Sequence, residues 1–344
     1  MNRWLRLHDS TGTAESSGTW RMHGIHEGIA WLTRRDAHGD GPLTVHAWDL
    51  ASGSERLAVP VDLGVHARAE LAGDTMIVWG GMAPGEVHAF RLDGPAWTVS
   101  GRCVGVTERL VATVLGADLR LLNPRDGRGE VHPDTALPMP IRTPPVAVRD
   151  TVVLHWEDGR SALISRGVRP AVPPPPEGTT RMWATRTDAV YGRYLATGRR
   201  VRMGLQWRDR FLEIDGDVTD IAGNRRHLLV ASDHPLFGLH IEVFDAKGSV
   251  ASVHPERAVR HAVADDRAVF AAWTGGAVWF TDRLTAVRLP PDPDLSGSIA
   301  LWDGFPVACS DDGILAPLAP GSVSAPEPGL PPLVFAPFDA SGAA

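Results

Sequence analysis

Residues 260–283 read RHAVADDRAVFAAWTGGAVWFTDR, and this stretch decides the fold. Apolar runs at 262–264, 268–273 and 277–280 are separated by two aspartates and by Thr-Gly-Gly at 274–276. Two adjacent glycines between apolar runs predict a two-residue hairpin loop, because glycine adopts positive φ without steric cost. The stretch therefore predicts three short antiparallel strands.

The same pattern recurs along the chain at an average spacing of about 39 residues. Each copy places a turn residue just before its apolar second strand, at Gly28, Asp74, Arg109, Asp150, Asp188, Arg226, Arg267 and Gly304. Four short strands per repeat, without a helical period, are typical of a propeller blade. The sequence predicts an all-β fold, a single β-propeller of four-stranded blades. The spacing gives eight blades, with seven as the alternative.

One domain is expected over residues 1–344, with 1–20 and 320–344 as terminal segments. A propeller needs its last blade completed by a strand from a chain terminus. Residues 4–7 and residues 333–335 are both apolar enough to supply it, and one of them is expected to pair with the strand near 314–316. A β-sandwich, or a pair of them, is the rival architecture, but it rarely contains eight similar units.

The stretch at 170–177, PAVPPPPE, departs from the repeat because it contains four consecutive prolines. Proline lacks the backbone N–H that a central strand needs, so this segment is predicted to be extended and outside any sheet. We expect a surface connection between blades; recruitment of a proline-reading domain is the alternative.

The charge balance argues against a nucleic-acid partner. The net charge is −7, and Lys247 is the only lysine among 34 basic residues. That arginine bias is typical of a GC-rich bacterial genome. Arginines occur at most in adjacent pairs, whereas a phosphate-binding surface requires clustered basic side chains.

Cysteine use and hydropathy indicate the compartment. Cys103 and Cys309 fall in separate repeats, so we expect two buried thiols in a reducing environment rather than a disulfide. The first residues contain no apolar run like that of a signal peptide, and nowhere do 18 consecutive apolar residues occur. The expectation is a cytoplasmic, monomeric protein without a membrane segment.

Residues 45–57, VHAWDLASGSERL, resemble the repeat of quinoprotein-like (PQQ-type) and WD40-type propellers. Asp49 and Gly53 match the quinoprotein pattern, but Leu57 stands where that pattern has its tryptophan; 123–127 and 245–248 are partial matches. The resemblance implies the fold, often with eight blades. The missing tryptophan and the absence of adjacent cysteines argue against a quinone cofactor, so none is expected.

In a propeller, the loops between second and third strands gather at one face together with the connections between blades. That reasoning predicts an acidic, histidine-containing rim that could attract a basic partner through its summed potential. The alternative interpretation is that aspartate is selected here for turn geometry. The candidate rim residues are Asp36, His38, Asp40, Asp158, Asp233, His234, Asp311 and Asp312.

No segment supplies a complete metal-binding or catalytic set. His23 and His26 have ligand-like spacing, and the Asp36–His38–Asp40 group is compact, but zinc takes three or four N or S ligands and calcium six or more oxygens. No Gly-x-Ser-x-Gly elbow or phosphate loop occurs. We expect neither a metal nor a catalytic residue. The twelve tryptophans are interpreted as core between blades rather than as a ligand platform.

These observations favour a non-enzymatic scaffold that presents loops on one face to a partner protein. The alternative is a hydrolase or lyase with a site at the channel mouth, acting on a sugar or a lactone. Both hypotheses draw on analogy with other proteins of this fold.

Overall fold

The computed structural model describes residues 5–7, 18–36, 42–80, 85–135, 144–167, 169–197, 200–234, 236, 238–255, 257–273, 276–281, 284–289 and 297–317. Regular structure in these residues consists of β-strands, β1 to β31, which form eight sheets. Within the same residues there is no helix of the length and apolarity that a membrane crossing requires.

The fold is an eight-bladed β-propeller, as the repeat predicts. We number the blades 1 to 8 in chain order of their first strands. Seven blades are four-stranded and one, blade 4, has three strands among the described residues. Every turn residue that anchored the repeat lies immediately before the second strand of its blade or one position further away. By Cα proximity the chain divides into two compact units.

Unit 1, residues 1–61 and 255–344, contains three blades. Blade 1 consists of β2 (Gly18–His26), β3 (Ile29–Asp36), β4 (Leu43–Asp49) and β5 (Ser54–Val61). Blade 7 consists of β25 (Val259–Ala264), β26 (Ala268–Trp273), β27 (Gly276–Thr281) and β28 (Leu284–Leu289). Blade 8 consists of β29 (Ser298–Trp302), β30 (Phe305–Cys309), β31 (Ile314–Pro317) and β1 (Leu5–Arg6).

Unit 2, residues 62–254, contains five blades. Blade 2 is β6 (Arg68–Ala72), β7 (Thr75–Trp79), β8 (Glu86–Arg91) and β9 (Gly94–Ser100); blade 3 is β10 (Arg102–Val106), β11 (Val111–Leu115), β12 (Asp118–Leu122) and β13 (Gly129–His132). Blade 4 is β14 (Val146–Val148), β15 (Thr151–His155) and β16 (Ser161–Ser165). Blade 5 is β17 (Arg181–Ala184), β18 (Ala189–Thr197), β19 (Arg200–Trp207) and β20 (Arg210–Asp215); blade 6 is β21 (Asp217–Gly223), β22 (Leu228–His234), β23 (Gly238–Phe244) and β24 (Ser249–Val253).

The N-terminal strand completes blade 8. Leu5 pairs with Leu315 and Arg6 with Ile314, which confirms the prediction that a terminal strand pairs near 314–316. The rival segment, 333–335, lies outside the described residues. Residues 18–20 are not a terminal segment in the structure, because they begin β2, the first strand of blade 1.

The apolar runs at 262–264, 268–273 and 277–280 lie in the first three strands of blade 7. Trp273 pairs with Gly276, so the connecting loop is residues 274–275, which lie outside the described residues. The hairpin is confirmed, with one difference: Gly276 belongs to β27 and not to the turn.

Consecutive blades pack face to face through apolar side chains within each unit. In unit 1, Trp20 and Leu32 of blade 1 pack with Val307 and Cys309 of blade 8. A second cluster joins blade 7 to blade 8 around Trp279. The prediction that tryptophans form the core is confirmed for the six that are buried, Trp20, Trp31, Trp48, Trp207, Trp273 and Trp279.

In unit 2 the same kind of cluster joins each blade to the next. Ile77 and Val111 belong to the cluster between blades 2 and 3, and Leu121 and Leu154 to that between blades 3 and 4. Trp207 lies in the cluster between blades 5 and 6. Within unit 2, each blade therefore covers an apolar face of the next blade, which a single four-stranded sheet cannot cover alone.

Blade 4 differs from the prediction of four strands in every blade. After β16 the chain enters the proline segment, which forms no strand in the described residues. It makes side-chain contacts instead: Ala171 N–H donates to Thr151 Oγ1 (2.8 Å), and the Tyr191 hydroxyl donates to the Pro173 carbonyl (2.5 Å). Four prolines remove the donors that a fourth strand would need.

The proline segment connects blade 4 to blade 5 and is mostly exposed or half-buried, as the sequence suggested, but one of its residues is buried. Val172 is buried in the cluster between blades 4 and 5, where it packs among Val148, Val153 and Tyr191. Near the end of the segment, the Thr179 carbonyl lies 3.1 Å from Nε2 of the buried His155. The segment is therefore a wedge between two blades, held by one apolar side chain and several hydrogen bonds.

Candidate interaction surface

We call the end of each blade at which the second strand passes into the third the hairpin face. The described candidate rim residues lie there, where the repeat places them. Asp36 ends β3, and its side chain lies outside the described part, as do His38 and Asp40.

Asp158 lies in the exposed turn between β15 and β16, and its carboxylate is used by its own loop. It accepts hydrogen bonds from the backbone N–H (3.0 Å) and the Nε (2.6 Å) of Arg160. The Arg160 N–H, and then the guanidinium, hold the pKa of Asp158 below its usual range. This contact favours the turn-geometry interpretation for Asp158.

Asp311 and Asp312 lie in the turn between β30 and β31 of blade 8, and the two side chains differ in their contacts. The Ser310 hydroxyl donates to Asp312, and Ser310 Oγ accepts the Ile314 N–H at 2.9 Å. The Asp311 side chain is exposed and makes no hydrogen bond or ion pair within the described residues, whereas its carbonyl accepts the Trp20 N–H at 3.0 Å.

We expect Asp312→Ala to lower the free energy of unfolding by about 1 kcal/mol, because it leaves the Ser310 hydroxyl without its acceptor. Asp311→Ala is expected to change it by less than about 0.5 kcal/mol, as for most exposed substitutions. Urea titration of both variants measures the difference. Equal losses would show that the Ser310–Asp312 contact does not stabilise the turn.

Asp233 and His234 are the last two residues of β22 in blade 6, and their side chains lie in different environments. Asp233 is exposed, and no hydrogen bond or ion pair to its carboxylate occurs in the described part of the chain. His234 is buried, and its Nδ1 accepts the Leu236 N–H at 3.0 Å. The buried His234 side chain therefore holds the backbone of the loop between β22 and β23, whereas the Asp233 carboxylate is exposed to solvent.

Asp233 is directly opposite Asp217, the first residue of β21. Asp217 is joined to blade 5 by two side chains: Arg181 Nη1 lies 3.1 Å from its Oδ1, and the Tyr194 hydroxyl donates to Oδ1 at 3.3 Å. The Arg181 guanidinium also lies 5.9 Å from the centre of the Tyr194 ring and donates to the Val218 carbonyl (2.9 Å). These contacts fix the Tyr194 ring although it is 49% exposed.

Leu236 adds an apolar side chain to this surface. It lies in the loop between β22 and β23 and is 78% exposed, although its backbone is held by His234. We call the group formed by Arg181, Tyr194, Asp217, Asp233 and Leu236 the blade 5–6 cluster. It combines an exposed aromatic ring, an exposed aliphatic side chain and three charges on one face.

Sequence reasoning found Asp233 and His234 but missed the other four. Arg181, Tyr194 and Asp217 belong to three different strands, and only the packing of blade 5 on blade 6 brings them together. Leu236 did carry a signal, because an apolar residue in a hairpin loop next to Pro235 has no core to join.

The described residues do not assemble a metal centre or an activated thiol. Among them, no three His, Cys, Asp or Glu side chains converge to hold a metal ion, and His23 Nε2 lies 2.8 Å from Thr33 Oγ1. Cys103 and Cys309 are free and buried, and burial raises the pKa of each thiol to about 12. Thiols that stay protonated at neutral pH are poor nucleophiles.

No family model and no curated protein matches the chain. Solved structures do. The computationally designed protein Ika8 is 13% identical, with 88% of this chain and 96% of Ika8 covered and a TM-score of 0.55. AztD from Citrobacter koseri is 12% identical (85% and 89% covered, TM-score 0.49), and BamB from Moraxella catarrhalis is 13% identical (89% and 86% covered, TM-score 0.41).

Likeness at this level of identity concerns the fold alone. The resemblance to propeller repeat proteins that the sequence indicated is confirmed as a fold by the eight successive sheets. Function has to be argued from the surface of this protein.

Proposed function

We propose that the protein is a propeller scaffold that binds a partner protein at the hairpin face, with the blade 5–6 cluster as its contact surface. The observation that carries the proposal is the half-exposed Tyr194 ring, held in place by Arg181 and Asp217. Tyrosine and arginine are enriched at the energetically dominant positions of protein interfaces.

The ion pair beside Tyr194 contributes little to the free energy of unfolding. Arg181 and Asp217 are 40% and 43% exposed, and ion pairs in such positions contribute less than about 1 kcal/mol. Their effect is to hold the ring in one orientation before a partner arrives. An immobilised ring loses less conformational entropy on binding, which increases affinity.

The charge of the cluster supports a basic partner surface. Two carboxylates, Asp217 and Asp233, face one guanidinium, and like charges directly opposite each other in a sheet repel. A lysine or arginine of a partner placed beside Asp233 would relieve that repulsion. Leu236 would supply apolar contact area next to this pair.

The hydrolase or lyase alternative has no specific support among the described residues. Asp158 and Asp312 are engaged by their own turns, and the thiols are buried. Asp217 and Asp233 are directly opposed carboxylates, but Asp217 is already paired with Arg181.

We expect Asp233→Lys to weaken partner binding about tenfold or more, because it replaces an attraction for a basic group by a repulsion. The test is capture of proteins from the native cell on immobilised protein, with quantification by mass spectrometry at two salt concentrations. A specific partner is captured by the wild type, is lost with Asp233→Lys and with Tyr194→Ala, and binds less at high salt.

Asp93→Lys is the matched control. Asp93 is an exposed turn aspartate between β8 and β9, at the opposite end of its blade from the hairpin face. This variant has the same change in charge and should retain the partner. If Asp93→Lys and Asp233→Lys lose the same proteins, binding follows net charge and the proposed surface is wrong.

A further inference from the structure

In the described part of the chain, no strand pairs with the outer edge of β16, the third strand of blade 4. Two hydrogen bonds define its register: Trp156 N–H donates to the Arg160 carbonyl (2.9 Å), and Arg166 N–H donates to the Asp150 carbonyl (3.0 Å). In an antiparallel pair, hydrogen-bonded and non-bonded positions alternate. The backbone groups that point away from β15 are therefore those of Ser161, Leu163 and Ser165.

These outward groups have no backbone partner within the described residues. In the other blades a fourth strand pairs with the third strand at this position. In blade 4 the chain that would provide it is the proline wedge, which is held by Val172 and Tyr191 instead. As far as the described residues extend, blade 4 therefore lacks the strand that would pair with Ser161–Ser165 in a four-stranded blade.

The face of blade 5 that packs on blade 4 carries an arginine and an aromatic ring beyond the buried Tyr191. Tyr191 packs against blade 4, and Arg193 lies on the same face of β18 because side chains two residues apart share a face. The Phe211 ring lies across Gly204, where a Cβ atom would come within 2.3 Å of it, and the Arg193 guanidinium lies 5.0 Å from the ring centre. Phe211 is 43% exposed.

Arg193 is exposed and forms no ion pair among the described residues. In the described part of the chain, the face that blade 5 turns toward blade 4 therefore presents the half-exposed Phe211 ring and the unpaired charge of Arg193. A fourth strand on blade 4 would direct every second side chain toward that face.

We propose that β16 accepts an extended segment of a partner protein, which completes blade 4 as its fourth strand. The backbone of that segment pairs with Ser161, Leu163 and Ser165. Its inward side chains alternate between apolar groups that cover Phe211 and carboxylates that pair with Arg193. Strand addition of this kind draws affinity from main-chain hydrogen bonds and specificity from alternate side chains. The proposal is independent of the hairpin face.

The probe is a fluorescein-labelled peptide of about ten residues, titrated by fluorescence anisotropy. It has serine at every second position, and valine and glutamate alternate at the positions between, so that one face of the strand carries both. Two companions isolate the contributions: a valine–lysine peptide reverses the charge, and an N-methylated valine–glutamate peptide removes alternate backbone donors. The valine–glutamate peptide is expected to bind, with about tenfold weaker binding for each companion. Bound peptide should also slow amide exchange at 161–165.

Ser161→Pro removes one outward donor of β16 and leaves the bonds to β15 intact, since proline is tolerated at such edge positions. We expect about tenfold weaker peptide binding and an unchanged Tm. The matched control is Val131→Pro. Val131 occupies an outward position of β13, because Asn123 N–H bonds the Arg128 carbonyl and sets the same alternation. This control should bind the peptide like the wild type.

Arg193→Glu tests the proposal without a backbone change, and its expected result is a preference for the lysine peptide. Equal binding of the N-methylated peptide, equal loss in Val131→Pro, or an unchanged charge preference in Arg193→Glu would each overturn the proposal. A concentration-dependent dimer that Ser161→Pro dissolves would make a second copy the occupant and would overturn it as well. If Asp233→Lys loses the partner protein of the hairpin face but still binds the peptide, that result concerns only the hairpin face.

Discussion

Trp279→Ala should lower the free energy of unfolding by about 3–5 kcal/mol, a large part of the stability of an ordinary domain. Trp279 is 1% exposed and lies between blades 7 and 8, where it packs with Ile299 and Leu301. Its indole N–H donates to the Gly304 carbonyl at 2.8 Å, and its ring centre lies 5.6 Å from that of Phe305. Alanine leaves a cavity and an unbonded carbonyl together.

Two controls separate these effects in urea titrations. Trp279→Phe keeps most of the volume and removes the hydrogen bond, so its loss should be about 1–2 kcal/mol. Trp97→Ala removes a similar bond, from its indole N–H to the Pro124 carbonyl (2.7 Å), at a half-buried site. Its loss should be smaller than that of Trp279→Ala. If the two alanine variants are equally stable, packing between blades 7 and 8 does not contribute the free energy of unfolding that we assign to it.

The blades were predictable because their signals are local. Gly28 and Gly304 adopt φ values of 79° and 89° immediately before second strands, and that conformation strongly favours glycine. Apolar runs between such turns have no helical period, so the strand assignment follows from the nearest neighbours in sequence. Eight repetitions of one local pattern then predict the architecture.

The missing strand of blade 4 was only half predictable. The prolines exclude a strand by their own chemistry, which the sequence shows directly. The burial of Val172 depends on Val148, Val153 and Tyr191, which come from other strands. A single valine among prolines carries no periodicity, so no local signal distinguishes a wedge between blades from a loop on the surface.

The sequence predicted at which end of the blades the candidate site lies, but not which residues form it. Hairpin aspartates were found because aspartate is common in turns, and Asp158 does bond Arg160 two residues away. The cluster around Asp217 requires side chains from blade 5, and the strand pairing of β21 contains an irregularity between Val218 and Asp220. Register shifts of this kind decide which face a side chain occupies.

Val172→Asp is the second prediction with a large effect, and it tests the wedge directly. A carboxyl group placed among Val148, Val153 and Tyr191 is removed from water and finds no cationic partner in that cluster. We expect a loss of about 3 kcal/mol or more at neutral pH. Detachment of the wedge should also expose the Arg166–Gly167 bond, so trypsin should cut there faster than in the wild type.

The pH dependence distinguishes burial of the carboxyl group from a general loss of packing. Burial raises the pKa of the new carboxyl group in the folded state above its unfolded value, so the folded state of this variant binds the extra proton. Its deficit relative to the wild type should therefore grow as pH rises above about 4, by at most about 1.4 kcal/mol per pH unit.

Pro174→Asp is the matched control, since Pro174 is exposed two positions further along the same segment. It adds the same charge and should leave both Tm and trypsin cleavage near wild-type values at every pH. A pH-independent deficit in Val172→Asp would mean that the carboxylate reaches water. Equal behaviour of the two variants would mean that residue 172 is not held between the blades, and the open edge of β16 would then have to be explained without a wedge.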